Sequence, residues 1–226
     1  MDFIFVIVFG GLWGSFANVC IYRIPNNEGV VSGRSFCPNC KTKINWYDNI
    51  PLISYIVLGG KCRSCKKKIS IQYFIVETLS IILFTSIYYK FGVTLTTLYL
   101  IILSLSFLII FFIDLKHFII PNILTFFLMI IGFIKSFDPN LNSMFPNYMN
   151  SLIGGIFGYG IIWLIIFIYK AIRKKEGMGL GDAKLFGAIG FWFGWVSIPF
   201  IIFLSSIIAL IHVIPSLLNR SKNISS

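Results

Sequence analysis

Charge is what this sequence has least of: charged residues make up 12% of its 226 positions, about half the share carried by a soluble domain of this size. With 57% hydrophobic residues and a mean hydropathy of +0.87, that scarcity excludes an ordinary water-soluble globule. No cation precedes the first apolar stretch, Phe3 to Ile21; only Asp2 stands ahead of it, and Arg23 follows. A secretory signal carries positive charge in front of its apolar run, so the expectation is an uncleaved first helix with its N-terminus outside. Acids are rarer still, eight in all, which makes the position of each one informative.

Long apolar runs are what the chain has instead. Thr94 to Ile113 and Leu152 to Tyr169 are almost free of charge, and about 20 such residues suffice to cross a bilayer as a helix. A buried core helix is excluded because several such runs follow one another in a small chain. The pattern predicts seven spans, at 3–22, 71–89, 93–114, 118–136, 149–169, 182–196 and 197–218, with six or eight as neighbouring counts. The last two are the least regular, since Pro199 interrupts them and 182–196 is short for a crossing. The expected fold class is therefore an all-α polytopic membrane protein. Its expected parts are a first transmembrane helix (1–22), a cytoplasmic loop (23–70) and a transmembrane domain (71–226).

The net charge of +11 raises the question of nucleic acid, and the placement of the cations answers it. With that topology, cations crowd the inside segments: Arg23 to Lys68 in the first loop, then Lys116, Lys170 to Lys175, and the tail residues Arg220 and Lys222. Lys184 lies just within the inner end of the sixth span, and only Lys90 and Lys135 remain outside. This is the asymmetry of the positive-inside rule. The basic balance reflects topology and not a nucleic-acid footprint, and anionic lipid is the expected partner of the basic loop.

The loop at 23–70 has a different composition, with Cys37-Pro-Asn-Cys40 and Cys62-Arg-Ser-Cys65. Each C-x-x-C knuckle supplies two sulfurs from one tight turn, and two knuckles make a tetrahedral thiolate zinc site. The spacer is slightly long for a zinc ribbon. Two disulfides are the competing reading, disfavoured by a reducing cytosol, and nearby Arg63 and Lys66 favour thiolates. Four thiolates would close the coordination sphere, so such a metal would organise the loop and leave the chemistry to other groups. Cys20 reads as a packing residue within the first helix. Trp46 to Gly60 is apolar for a soluble loop, with Trp46 and Tyr47 suited to an interface, and is expected to lie on or dip into the bilayer surface.

Five acids, Asp2, Glu28, Asp48, Asp138 and Glu176, fall in loops or at an end, where solvation accounts for them. Glu77, Asp114 and Asp182 fall in or at the ends of apolar spans, where an ionisable group is costly and points to function. Asp114 closes the third span and Asp182 opens the sixth, so both reach the same leaflet on the cytoplasmic side. Two close carboxylates cannot both ionise cheaply and share a proton. One can then act as general base on water while the other, protonated, polarises a peptide carbonyl. Taken singly, Asp114 reads equally well as an interfacial residue and Asp182 as a helix cap.

Gly177, Gly179 and Gly181 stand at alternate positions before Asp182. They would permit unusual backbone angles and close approach of an extended substrate; a flexible hinge is the plainer alternative. The run lacks the strand-then-helix context of a nucleotide loop. Ile120-Pro121-Asn122 follows Asp114, and Pro121 suits the first turn of a fresh helix.

In this order the motifs resemble those of the prepilin peptidases, the type IV leader peptidases of pilus, competence and type II secretion systems. Gly14-Ser-Phe-Ala-Asn18 with Tyr22-Arg23-Ile-Pro25 is similar to the family's first-helix signature. Arg34-Ser-Phe-Cys37-Pro-Asn-Cys40, Trp46 to Pro51 and Cys62 to Cys65 resemble its zinc loop, followed by Ile69-Ser70, Tyr73 and Glu77. Asp114 with Ile120-Pro-Asn122, and Gly179-Leu-Gly-Asp182-Ala-Lys184, resemble its two catalytic aspartate motifs. The resemblance covers nearly the whole chain. It implies a GxGD-type intramembrane aspartyl protease of the bacterial cytoplasmic membrane, cutting the short basic leader of type IV pilin-like precursors after a glycine. It also implies N-methylation of the new N-terminus with S-adenosylmethionine, with no residues assigned to that step. Glu77 and Lys184 are auxiliary candidates, and Glu77 reads equally as a satisfied interhelical hydrogen bond or as a substrate or methyl-transfer residue.

Two other classes compete. A proton- or cation-coupled transporter could use the same acids, but its pathway calls for acids near midplane. A non-enzymatic scaffold presenting a zinc loop explains the cysteines and leaves the paired aspartates unexplained.

Overall fold

Each of the seven apolar segments is a helix. A computed structural model describes residues 2–31, 35–175 and 177–222, with side chains from Phe3 to Ile211 within that set. Arg34, Glu176 and the side chains of Asp2, Arg220 and Lys222 lie outside the described residues. The helices are α1 (Asp2–Arg23), α2 (Ile53–Val57), α3 (Ile71–Phe91), α4 (Leu95–His117), α5 (Asn122–Lys135), α6 (Tyr148–Arg173), α7 (Leu180–Phe193) and α8 (Ser197–Lys222). Among the described residues there is no strand, only isolated bridges between Phe36 and Lys43 and between Lys61 and Lys68.

Polar residues punctuate the apolar runs. Ser70, Thr94 and Asn147 cap α3, α4 and α6 by accepting from backbone amides of Gln72, Thr97 and Asn150, which satisfies N–H groups the first turn leaves orphaned. Pro199 falls in the first turn of α8 and so starts that helix without breaking it. Among the described residues four helices, α1, α3, α4 and α6, are long and apolar enough to cross a membrane. At 14 residues each, α5 and α7 extend only about 21 Å, short of a hydrocarbon core of about 30 Å.

The chain forms two compact units, Met1–Leu124 and Thr125–Ser226. In the first, α1 packs along α3 with α4 against both, around Ala17, Cys20, Ile21, Val76, Phe84, Leu108 and Ile113. Cys20 is thus a packing residue. Polar side chains here bond backbone oxygens: Ser80 Oγ donates to Gly10 O at 2.8 Å and Asn18 Nδ2 to Tyr73 O at 3.1 Å.

In the second unit α6 and α7 meet backbone to backbone. A Cβ on Gly154 would strike the carbonyl of Gly190, and one on Gly190 the carbonyl of Gly154; such small-residue seams let apolar helices pack where the hydrophobic effect gives little. Trp192 is fully buried and donates from Nε1 to Leu128 O at 2.8 Å. Lys135, expected among the outside cations, is completely buried. Its ammonium lies 4.2 Å from the Phe145 ring centre and 5.3 Å from that of Trp192, so aromatic faces take the place of water.

Candidate active-site aspartates and metal centre

The two cysteine knuckles are copies of one another. In the first, Cys37 N–H donates to Thr42 O and Lys41 N–H returns to Cys37 O; in the second, Cys62 pairs with Lys67 O and Lys66 returns to Cys62 O. Lys41 and Lys66 hold matching left-handed φ values of 57° and 58°. Each turn therefore presents both sulfurs on one side.

The knuckles face each other with all four Sγ atoms within 4.8 Å. Cys37 Sγ to Cys65 Sγ is 3.9 Å and Cys40 Sγ to Cys62 Sγ is 4.0 Å. Disulfides need about 2.05 Å, whereas a tetrahedron of thiolates at about 2.3 Å from a metal has edges of about 3.8 Å. The donor set fits a tetrahedral metal. Hydrogen bonds at Thr42 lower the pKa of Cys40 to about 6, and backbone bonds from Cys65 and Ser64 lower that of Cys62. A backbone bond at Lys67 opposes the rise at Cys65, yet burial and the other thiols push it up to about 11. The cluster thus favours shared negative charge among closely packed sulfurs.

Asp48 belongs to the frame of this loop, where solvation alone was expected to account for it. Its carboxylate takes Arg63 Nε at 2.8 Å and Nη2 at 2.6 Å, joining the 3-10 turn Trp46–Asn49 to the second knuckle. That fork holds the Asp48 carboxyl below its usual range. This contribution is complete above the unfolded carboxyl value and disappears as pH falls through the lower folded one. This part of the loop's loosening on acidification is expected in the wild type and absent from Arg63→Gln, whose loop is weaker already at neutral pH, as read by amide hydrogen exchange over residues 46–65.

Glu77 is buried on α3, and its Oε2 accepts the backbone N–H of Leu52 at 2.8 Å. Leu52 precedes α2 with a φ of 60°, an unusual backbone state for a branched apolar residue. The acid thus has a structural partner that spacing could not reveal.

Asp114 stands exposed in the last turn of α4 and is that helix's only acid. Its carbonyl accepts Phe118 N–H at 2.8 Å, and Phe118 ends the helix in the left-handed region at φ 55°. Pro121 then directly precedes α5. Asp182 lies half-buried in the first turn of α7, where Gly179 is the cap residue and receives Asp182 N–H at 3.2 Å.

The glycines before Asp182 serve space more than angle. None of Gly177, Gly179 or Gly181 is among the positive-φ residues, contrary to the expectation of unusual backbone angles. At Gly177 a Cβ would collide with the Tyr169 ring. At Gly179 a Cβ would meet nothing closer than Asp182 Oδ2 at 3.8 Å, so the backbone beside this carboxylate is uncrowded. Lys184 follows on α7 with Nζ 5.6 Å from the Phe126 ring centre. It borders a cavity of about 350 Å³ lined by Phe126, Met129, Ile156, Tyr159 and Phe191.

Comparison with known proteins assigns both halves of the chain. Residues 8–91 match the bacterial peptidase A24 N-terminal domain and residues 101–214 the type IV leader peptidase family. The chain is 38% identical to a prepilin leader peptidase/N-methyltransferase of Vibrio cholerae, over 94% of this chain and 87% of that protein. It is 35% identical to one of Neisseria gonorrhoeae, over 92% and 79% of the two chains. The corresponding protein of Pseudomonas aeruginosa is 33% identical over 91% and 77%. No solved structure matches it.

Proposed function

The chain belongs to the type IV leader peptidase family, and from that premise we propose that it removes the leader of type IV pilin-like precursors, with Asp114 and Asp182 as the acid–base pair. The observation that carries this reading is where the two acids stand: Asp114 is exposed in the last turn of α4, and Asp182 is in the first turn of α7 next to the uncrowded Gly179.

In the proposed reaction one carboxylate takes a proton from water, and the oxygen attacks the scissile carbonyl carbon. The other carboxyl, protonated, donates to the carbonyl oxygen as negative charge develops there. Collapse of the tetrahedral species breaks the C–N bond, and the proton passes to the leaving amine. One water is consumed and the pair returns to its single shared proton. A precursor with a basic leader ahead of an apolar helix would present its bond at the cytoplasmic interface, the depth proposed for both aspartates. The uncrowded backbone at Gly179 supports approach by an extended segment there.

The four cysteines are proposed to hold a structural zinc ion that organises residues 23–70 and takes no part in hydrolysis. About one zinc per chain is expected in the purified protein, lost in the Cys37→Ser/Cys40→Ser double variant. Full activity in metal-free protein would remove the zinc from the account.

N-methyltransferase is part of the names of the relatives, and N-methylation is proposed here on that ground, with S-adenosylmethionine as the donor that the family resemblance implies. The cavity beside Lys184 has apolar walls and a cation as its one charged residue, so it offers no acidic partner for the donor's sulfonium or ammonium group. No methyl-transfer residue is assigned. The test of the whole reading is incubation of the purified protein with a pilin-like precursor and labelled S-adenosylmethionine. Loss of the leader followed by label at the new N-terminus is expected; an intact precursor would refute the peptidase reading.

A further inference from the structure

We infer that residues 50–58 form the tip of a re-entrant membrane segment, inserted among lipid acyl chains beside α1 and α3, with Trp46 to Asn49 at the interface and the two cysteine knuckles closing its base. The inference does not depend on the aspartate assignment.

Depth is the first ground. Pro51 packs against Gly11 of α1, where a Cβ would lie 3.1 Å from the Pro51 Cβ. Gly11 stands roughly 18 Å along the helix from Arg23 at 1.5 Å per residue. Leu52 is bonded to Glu77, which lies roughly 9 Å along α3 from its start at Ile71. Both α1 and α3 are long and apolar enough to span, and one leaflet of hydrocarbon is about 15 Å deep. Two independent anchors therefore bring the tip of the segment well below the helix ends, along the sides of spanning helices.

Surface chemistry is the second ground. Trp46, Ile53, Ile56 and Val57 are 76%, 59%, 66% and 73% exposed. Such exposure would be costly against water and is ordinary against lipid. The helices it packs against also carry exposed apolar residues, Leu12 on α1 and Ile82 on α3. Cations leave the segment: between Asn45 and Gly60 there is none, and Lys43 and Lys61 flank it. That is the pattern of an inserted segment whose ends meet an anionic headgroup layer.

Backbone satisfaction is the third ground, because lipid offers no hydrogen bonds and a non-helical segment enters only if its polar groups find partners in protein. Ile50 N–H donates to Ser54 Oγ at 2.9 Å, and Ser54 Oγ donates to Tyr47 O at 3.0 Å. Leu52 N–H goes to Glu77 at 2.8 Å. Leu58, Gly59 and Gly60 return their N–H groups to Ser54, Ile56 and Tyr55. Glu77 thereby has a positioning role: it supplies the acceptor that lets this turn leave water. At the base, Cys40 and Cys62 bracket the segment and their sulfurs approach to 4.0 Å, so metal binding would fix its two ends together.

The test uses the full chain, zinc-loaded and reconstituted in liposomes, with a nitroxide at Ile56→Cys. Ile82→Cys on α3 serves as the lipid-facing reference and Glu28→Cys as the aqueous one; unsubstituted protein reports background labelling. Collision with oxygen and with a water-soluble nickel complex is read at each site. The oxygen-to-nickel ratio at 56 is expected to match that at 82 and to exceed that at 28 several-fold. A ratio like that at 28 would overturn the inference by placing the segment in water. Low collision with both reagents would overturn it too, since protein, a second copy or another chain, would then cover the face. Glu77→Leu in the Ile56→Cys background is expected to shift the ratio toward that at 28, and an unchanged ratio would remove Glu77 from this role.

Discussion

Asp114→Asn and Asp182→Asn are each expected to lower cleavage of a pilin-like precursor by at least about a thousandfold, equivalent to about 4 kcal/mol of transition-state stabilisation. Asparagine keeps the size and most of the hydrogen-bonding capacity of aspartate but cannot accept or release the proton. If the two carboxyls share one proton, either substitution destroys the base or the acid and leaves the partner without its role. The loss should therefore fall on the rate constant more than on precursor binding. Both residues stand at helix ends. Asp114 is exposed in the last turn of α4 and Asp182 lies in the first turn of α7, so both variants should insert normally and retain zinc. Normal processing by either one would sink the catalytic assignment.

Gly190→Leu is expected to abolish folded protein, and with it activity, for a reason remote from the chemistry. The Cβ at 190 points at the Gly154 carbonyl and would also meet Gly155 N, at 2.8 Å. These are backbone atoms, so no rotamer change can relieve the clash and the α6–α7 pair must separate. Overpacking typically costs about 1–3 kcal/mol where side chains can yield; here they cannot, and the cost should exceed that range. Since α7 begins with the turn that carries Asp182, separation would also displace that carboxylate. Gly160→Ala is the contrasting control, because a Cβ there meets nothing within 4 Å and alanine favours a helix by about 1 kcal/mol. It should express and melt at or above the wild-type level. Equal behaviour of the two variants would show that the glycine seam is not what joins these helices.

Hydrophobic runs made the helices legible, because every one of the seven depends on a composition that extends over many residues. Their ends were less so. The third segment was expected to close at Asp114, but α4 continues to His117. Its stop is a left-handed Phe118, and phenylalanine carries no sequence signal for that conformation. The cysteine knuckles were legible because metal chemistry fixes their spacing. The Asp48–Arg63 fork was not, since ion pairs between distant loop positions leave no periodic trace.

Glu77 shows the same limit in sharper form. Its presence in an apolar helix was plain, yet its partner is a backbone amide 25 residues away, and any residue type but proline could supply that. Lys135 was placed only by side, and its burial was not legible because its aromatic neighbours, Phe145 and Trp192, are brought to it only by packing. At Gly177 the reason for glycine is the Tyr169 ring, a tertiary neighbour that the alternate spacing of the motif does not encode.

The most direct test of the aspartate pair is a distance. Cysteines placed at 114 and 182 of the zinc-loaded chain, reacted in membranes with a short bis-maleimide and mapped by peptide mass spectrometry, report whether the two positions meet. The account predicts a 114–182 cross-linked peptide as the principal product, with leader cleavage absent from the doubly substituted chain. Both cysteines carrying singly reacted reagent and no 114–182 peptide would contradict it.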